Sequence, residues 1–303
     1  MKVSNARQAP AKLPCRKPRA AGTSRVLPPQ LHAGPVAHFG RSLQGESASK
    51  VQNQDALLLC PGLGGTALSL FGVCDGHGPY GHEIAQIAAA AFPEALTQVL
   101  GPQLPAALQQ AVRQVNKRVL DLPTSCFSGS TLISALVTPT AVLCANVGDS
   151  RALLASKLHG CWRSTPLNTL HQPGQIEEAR RIELFGGELR GSPVRVWLPG
   201  QNVPGLAMSR SLGDQRLKEH GVSAVADVTV HTLTDEDCFL VLGSDGLWEV
   251  LSDEEVVETV RKHWELGYAK AACNALLAEA RRRWQGSAHV DDITAVVVFL
   301  KFS

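Results

Sequence analysis

The chain has 303 residues, of which 44% are hydrophobic and 18% are charged, a composition typical of a folded protein with one large or two small domains. The formal net charge is +2, but eight of the 29 Lys and Arg residues lie in residues 1–41, where Asp and Glu are absent. The rest of the chain is therefore net acidic and gives no reason to expect nucleic-acid binding. No apolar run reaches the length of about 18 residues that a membrane helix needs, so we expect no membrane association.

The first 38 residues are basic and rich in Pro and Ala, with no helical or strand period. We expect a disordered basic tail there, with an organelle transit segment as the alternative. The segment lacks the apolar core of a secretory signal, and Lys2 excludes a myristoylation signal.

The eight cysteines form no Cys-x-x-Cys pair, which argues against a zinc ribbon. Several lie inside apolar runs, where cysteine acts as a small hydrophobic residue. We therefore expect an intracellular protein with reduced cysteines, located in the cytoplasm or nucleus unless the basic N-terminus directs it to an organelle.

Short apolar runs rich in β-branched residues predict strands at the positions that follow. In chain order these are residues 56–60, 69–74, 131–137, 141–147, 151–156, 238–243 and 293–300. Thr138-Pro139-Thr140 predicts a hairpin turn between the third and the fourth. Closely spaced strands of this kind favour antiparallel sheets.

Helices are predicted at residues 83–100 with an interruption at Pro93, and at 105–120, 175–185 and 268–284. Ser252 and Glu255 form a capping box that begins a further helix. Residues 186–205 are rich in Gly and Pro and are expected to be an irregular insertion near the functional face. Because strands and helices come in clusters, the pattern favours an α+β fold with helices outside antiparallel sheets over a Rossmann-type fold.

Aspartates lie at the ends of several predicted strands. Asp75 and Asp245 each end an apolar run and are each followed by glycine, in SLFGVCDGHG and CFLVLGSDGLW. The others are Asp55, Asp149 and the pair Asp291-Asp292. An Asp-Gly pair also predicts a tight turn, so a plain turn at Asp75 remains open at this point.

Carboxylates at strand ends converge when their strands are neighbours. Like charges brought together raise one another's pKa unless a cation lies between them. Oxygen ligands select hard cations, so the pattern predicts a site for Mg²⁺ or Mn²⁺. Two such ions can generate hydroxide from water and stabilise in-line attack on phosphorus. Gly76 suits such a site, since no side chain obstructs its carbonyl.

Other polar residues carry weaker signals. His77, two residues after Asp75, is a candidate proton donor, whereas His82 is expected to be structural. Ser130 and Ser244 lack a Gly-x-Ser-x-Gly context, so a serine nucleophile is not expected.

Seven short motifs occur in order along the chain. They are NQD (53–55), FGVCDGHG (71–78), SGST (128–131), ANVGDSRALL (145–154), GLAMSRSLGD (205–214), GSDGLWEVLSDEEVV (243–257) and DDITAVVV (291–298). Together they resemble the metal-dependent serine/threonine protein phosphatases of type 2C, and the likeness covers residues 39–302. The residues of these motifs are most similar to those of plant and protist members.

The resemblance implies a domain at residues 39–303 with a four-layer β-sandwich, in which two antiparallel sheets are flanked by helices on both sides. It also implies a dinuclear Mg²⁺ or Mn²⁺ centre. By motif position, Asp75 would bridge both ions, the Gly76 carbonyl would bind one, and Asp245 and Asp291 would complete the shell of the other.

The remaining roles follow from the same resemblance. Asp55 would hold metal-bound water, and Asp149, with Asp245, would bind a weaker third ion. His77 would act as the general acid for the leaving serine or threonine oxygen.

The chain departs from the family pattern at several positions. Lys50 stands where many animal members have a phosphate-binding arginine, so the bidentate contact is lost. Glu249 replaces Asp or Asn beside the third-metal position, and Asp292 replaces a common Asn. Gln54 stands where some members have Glu, and Leu170 where many have Asp. None of these changes removes a core metal ligand.

The expected function is a monomeric protein serine/threonine phosphatase that acts on phosphorylated proteins through a hydroxide activated at the dinuclear centre. A pseudophosphatase that serves as a regulatory binding module is the alternative. A hydrolase of small phosphoesters on the same fold is a third reading. The sequence does not name the physiological substrate.

Overall fold

Two large antiparallel sheets form the centre of the protein, in a computed structural model that describes residues 35–46 and 52–301. The first sheet has five strands in the order β1-β15-β14-β7-β8. These are β1 (Ala37–Leu43), β7 (Arg151–Leu158), β8 (Cys161–Pro166), β14 (Asp237–Gly243) and β15 (Ile293–Phe299).

The second sheet has seven strands in the order β12-β4-β3-β5-β6-β13, with β2 also paired to β3. These are β2 (Asp55–Cys60), β3 (Ser69–His77), β4 (Gly129–Ser130), β5 (Leu132–Val137), β6 (Ala141–Val147), β12 (Leu212–Gly213) and β13 (Asp227–Thr232). A third sheet of three short strands has the order β11-β10-β9, namely β9 (Glu188–Arg190), β10 (Arg195–Trp197) and β11 (Pro204–Leu206).

The first two helices pack against the second sheet and the last two against the first, and the described residues contain seven helices. They are α1 (Gly81–Val99), α2 (Leu104–Leu120), α3 (Ile176–Leu184), α4 (Gln215–Lys218), α5 (Asp245–Trp248), α6 (Asp253–Trp264) and α7 (Ala269–Arg283). Short 3₁₀ turns lie at Leu63–Gly65 and Pro123–Cys126. In the described part of the chain, none of these helices combines the length and apolar character needed to span a bilayer.

Alternating side chains on the strands build the layers. On β3, Leu70 and Cys74 pack with α1 and α2, whereas Phe71 and Val73 pack between the two sheets. On β14, Val241 faces α6 and α7. This alternation follows from the two-residue period of a strand and confirms the four-layer sandwich.

Two sequence-based predictions are wrong. Helix α1 continues through Pro93 without interruption. Its buried face, which includes Ile84, Phe92 and Leu96, supplies apolar contacts that outweigh the roughly 3 kcal/mol cost of an internal proline. The segment 186–205 is not irregular, because it contains β9, β10 and most of β11.

Other local predictions are confirmed. Residues on either side of Thr138-Pro139-Thr140 pair as a hairpin, with Val137 opposite Val142. The Ser252 side chain accepts a hydrogen bond from the Glu255 backbone, and the Glu255 side chain accepts one from the Ser252 backbone.

Strand β1, which was not predicted, begins at Ala37, within the segment assigned to the basic tail.

Candidate metal centre and active site

Two aspartates lie directly opposite each other on neighbouring strands of the second sheet. In the register of β2 and β3, Asp55 is the partner of Asp75. Side chains at such positions lie on the same face and close together, and like charges there are destabilising. The fold therefore places two carboxylates where their repulsion is relieved only by protons or by a cation.

Three further aspartates lie at one end of the first sheet. Strands β7, β14 and β15 are neighbours, and Gly243 pairs with both Arg151 and Ala295. Asp149, Asp245 and Asp291 each lie two residues beyond the paired end of their strands. The expected convergence of strand-end aspartates is thus produced by strand order.

The effects of these aspartates on one another's pKa values show that their carboxylates lie close together. Burial is the main cause that raises the pKa of Asp75 well above its ordinary value, and the charges of Asp55, Asp245 and Asp291 add to it. Burial also raises the pKa of Asp245, together with Asp149 and Asp291. The carboxylates therefore act as one coupled set at the meeting point of the two sheets.

Hydroxyl groups hold the carboxylate of Asp55 and the backbone of Asp75. Asp55 Oδ2 accepts hydrogen bonds from Ser244 Oγ at 2.7 Å and from Thr294 Oγ1 at 2.5 Å, while its buried Oδ1 has no partner in the described residues. Burial nevertheless raises the pKa of Asp55 to about 7. Thr131 Oγ1 accepts a hydrogen bond from the Asp75 backbone N–H at 3.0 Å. Sequence reasoning assigned no positioning role to Thr131, Ser244 or Thr294.

A cavity of about 430 Å³ opens at this group. Its residues are Gln54, Asp75, Gly76, His77, Gly78, Phe127, Arg195, Pro204, Gly205, Leu206, Ala207, Met208, Asp214, Asp245, His289 and Asp291. Five of the candidate site residues thus line one cavity. Of the others, Asp55 and Asp149 do not line it, although both raise the pKa of Asp75.

Gly76 is required by a close approach of backbones. A Cβ atom there would lie 2.2 Å from the Gly81 carbonyl oxygen and 2.6 Å from that of Gln54. A side chain at this position would therefore displace the start of α1 from β3. The alternative left open by the sequence, a tight turn at Asp75-Gly76, is not formed, because β3 continues to His77.

The donor set suits a hard divalent cation. The carboxylates and the Gly76 carbonyl offer oxygen ligands, and buried Oδ1 atoms of both Asp55 and Asp149 lack partners in the described residues. No three His, Cys, Asp or Glu side chains in that part of the chain converge tightly enough to hold one ion by themselves. Water would therefore complete the shell of an ion bound here, and oxygen ligands favour Mg²⁺ or Mn²⁺.

His77 has a buried acidic partner that the sequence did not reveal. Its Nε2 lies 2.7 Å from Asp214 Oδ2, although the two residues are far apart in the chain. Burial would raise the pKa of Asp214, but the His77 ring and the Lys218 ammonium hold it below its ordinary value. Asp214 lay within a recognised motif, GLAMSRSLGD, but only the tertiary contact shows its partner.

The residues that depart from the family pattern have different surroundings in the structure. The buried Asp292 accepts hydrogen bonds from the backbone N–H groups of Gly45 and Gln54, both at 2.7 Å, so backbone donors stabilise its charge. Glu249 keeps an exposed surface beside the site, but its carboxyl is partly desolvated, and this together with the charge of Asp291 raises its pKa. Lys50 lies outside the described residues.

Comparisons with known proteins identify the family of this chain. A family profile described as "Protein phosphatase 2C" matches residues 40–287. "Probable protein phosphatase 2C 72" of Arabidopsis thaliana is 36% identical, over 88% of this chain and 87% of its own length. "Probable protein phosphatase 2C 12" of Oryza sativa subsp. japonica is 33% identical, over 86% and 80% respectively.

Solved structures show the same fold. The serine-threonine phosphatase 2C from Toxoplasma gondii superposes with a TM-score of 0.75 at 22% identity, covering 90% of this chain and 98% of its own. A sex-determining protein from C. elegans gives a TM-score of 0.75 at 24% identity, covering 88% and 65%. With its matched profile, its relatives and its fold, this chain belongs to the protein phosphatase 2C family.

Proposed function

We propose that this protein hydrolyses phosphoserine and phosphothreonine in phosphorylated proteins, with direct attack by water and no phosphoenzyme. The observation that carries the proposal is the coupled carboxylate set at one cavity, in which Asp55 and Asp75 lie directly opposite each other. Such a set is costly to fold without cations. Its family is one of metal-dependent serine/threonine phosphatases.

We propose two Mg²⁺ or Mn²⁺ ions, held by Asp75, the Gly76 carbonyl, Asp245 and Asp291. When bound, they would activate a water molecule and stabilise charge on the phosphoryl oxygens. The charge of Asp149 raises the pKa of Asp245, so the two carboxylates interact. This supports a third, weaker metal position between them. Asp55, fixed by its two hydroxyl donors, would hold water bound to the ions.

His77 supplies the acid in this proposal. It lines the cavity with about one fifth of its side chain exposed. A histidine there can donate a proton to the serine or threonine oxygen as the bond to phosphorus breaks. Without that proton, a strongly basic alkoxide would have to leave.

The walls of the cavity suit a phosphorylated peptide. Phe127, Leu206 and Met208 contribute apolar atoms to the lining, and Arg195 contributes a cation. Arg195 Nη1 donates a hydrogen bond to the Gly205 carbonyl at 2.9 Å, which holds the guanidinium at the cavity. We propose that Arg195 attracts the phosphoryl group, in addition to Lys50, the candidate phosphate-binding residue from the sequence.

We further propose that the protein acts as a monomer, because every residue of this site comes from one chain. An intracellular location, in the cytoplasm or nucleus, is supported by the seven described cysteines, all of which are free. Imaging of the full-length protein beside a variant that lacks residues 1–34 tests whether the basic N-terminus changes that location.

A manganese-dependent assay on a phosphothreonine peptide tests the proposed function. We expect the wild-type protein to release phosphate, and Asp75→Asn and Asp245→Asn to abolish release. Asp235→Asn, at an exposed turn, is the control and should retain activity. A folded, inactive wild-type protein would favour the pseudophosphatase alternative, and activity that survives both substitutions would refute the assigned centre. Faster turnover of small phosphoesters than of the peptide would favour the third reading.

A further inference from the structure

We propose that Asp214 is a positioning residue for His77, holding its imidazole so that it protonates the leaving serine or threonine oxygen. This inference rests on the proposed phosphatase function and adds a residue to it. In the reaction, water forms the new bond to phosphorus, and the bond from phosphorus to the serine or threonine oxygen breaks. With Nε2–H donated to Asp214, the leaving oxygen takes the Nδ1 proton of the His77 imidazolium. The attacking water releases a proton to solvent and the ring takes one back, so the products are the alcohol and phosphate.

The contact itself is short and enclosed. Asp214 Oδ2 lies 2.7 Å from His77 Nε2, and Asp214 is only 2% exposed although it borders the cavity. The His77 Nδ1 atom is buried and has no partner in the described residues. The Asp214 carboxylate is therefore the one side-chain group in that part of the chain with a hydrogen bond to the ring, and it fixes both the ring plane and the proton on Nε2.

Several elements of the fold converge to make this contact. His77 and Gly129 are partners in the register of β3 and β4, and Gly129 is also the partner of Gly213 on β12. A Cβ atom on Gly129 would lie 2.2 Å from Asp214 Oδ2 and 2.6 Å from His77 Nε2. The missing side chain of Gly129 thus leaves the space in which the pair meets.

The backbone of Asp214 is strained at the same point. Its φ of +50° lies in the left-handed region, which residues other than glycine seldom adopt. Strained backbone persists where the surrounding structure over-determines it, often at functional sites. Here the Asp214 N–H donates to the Ser128 carbonyl at 2.9 Å, and Ser211 Oγ donates to Asp214 Oδ2 at 2.6 Å.

The same chemistry occurs elsewhere in the protein without access to the cavity. His231 Nε2 lies 2.9 Å from Oδ2 of Asp237, which is also 2% exposed. That pair joins the edge of the second sheet to the start of β14 and does not line the cavity. It is therefore a matched control for a purely structural histidine–carboxylate contact.

Leaving-group dependence tests the proposal. Asp214→Asn suits the purpose, because asparagine tolerates the left-handed conformation and has nearly the same shape. We expect kcat on a phosphothreonine peptide to fall by about 10- to 100-fold, in line with lost acid catalysis. On p-nitrophenyl phosphate, whose leaving group needs no proton, kcat should stay within about threefold of wild type.

A double-mutant cycle separates positioning from stability. His77→Ala should show the same difference between substrates, and adding Asp214→Asn to it should cost nothing more. Asp237→Asn should leave the ratio of the two substrates unchanged. Equal losses on both substrates for Asp214→Asn, or additive losses in the double variant, would overturn the inference. A wild-type protein inactive on both substrates would instead refute the proposed function.

Nitrogen-15 NMR of the wild-type protein gives a test that needs no folded Asp214 variant. The His77 ring signal, assigned by its absence in His77→Ala, should show a proton on Nε2 that is protected from solvent exchange. A ring protonated at Nδ1 alone, or one in fast exchange, would contradict the contact with Asp214.

Discussion

Replacing Asp55 with asparagine should stabilise the protein when divalent cations are removed. Asp55 lies opposite Asp75, its Oδ1 is buried without a partner in the described residues, and its pKa is raised from 3.8 to about 7, chiefly by burial. The introduced asparagine would keep an oxygen to accept from Ser244 and Thr294 but would carry no charge. The substitution therefore removes the repulsion and keeps the hydrogen bonds.

The magnitude follows from the pKa. A folded-state pKa above the unfolded one means that the stability contribution is complete below pH 3.8 and is lost as the pH rises through about 7. A rise of about three units in the pKa of Asp55 corresponds to a loss of at most about 4 kcal/mol in the free energy of unfolding. In EDTA at pH 8, Asp55→Asn should therefore be more stable than wild type by up to that amount, and the difference should vanish near pH 4.

Urea unfolding followed by circular dichroism, in EDTA at several pH values, measures this difference. Asp235→Asn, an exposed aspartate, is the control and should follow the wild-type curve. Added Mg²⁺ should stabilise wild type by about 2.7 kcal/mol when its concentration is 100 times Kd. A wild-type curve that runs parallel to that of Asp55→Asn from pH 4 to pH 8 would refute the argument.

Two further predictions concern the buried Glu178 and Arg195, which lines the cavity. Glu178→Gln should lower the free energy of unfolding by about 3 kcal/mol, because the buried Glu178 accepts hydrogen bonds from Arg181 and Arg210, whose charges would lose their partner. Hydrogen bonds from both arginines hold the pKa of Glu178 far below its ordinary value against the opposing effect of burial, so this contribution is present above about pH 4.5 and is lost as the pH falls further. Urea unfolding checks both points, and an unchanged midpoint would contradict them. Arg195→Ala should raise KM for a phosphothreonine peptide about three- to tenfold with little change in kcat. Arg190→Ala on the facing strand is the control, since Arg190 pairs with Arg195 in the sheet but does not line the cavity, and an equal effect of the two variants would contradict the assignment.

The core strands and several site positions were predictable because their signals are local. The apolar runs before Asp75 and Asp245 correspond to β3 and β14, which are buried along most of their length. Long amphipathic helices such as α2 were also predicted within one residue at each end. Burial on a fixed face leaves a periodic trace in the sequence, and that trace was sufficient here.

The remaining features depend on contacts between distant segments. Strand β13 lies at the edge of its sheet and is largely exposed, so it lacks the apolar pattern of a buried strand. Strands β9 to β11 have only three residues each, too few for a period to emerge. The partner of His77 could not be predicted, because nothing local to Asp214 indicates which side chain will meet it.

The central claim is that the coupled carboxylates form a two-ion centre that drives phosphoester hydrolysis. One titration tests it most directly: Mn²⁺ added to EDTA-treated protein, with bound metal and phosphate release measured on the same samples. We expect two bound ions per chain and activity that rises with them, and we expect Asp75→Asn to lose metal binding and activity together. Full activity without bound metal, or unchanged metal binding in Asp75→Asn, would contradict it.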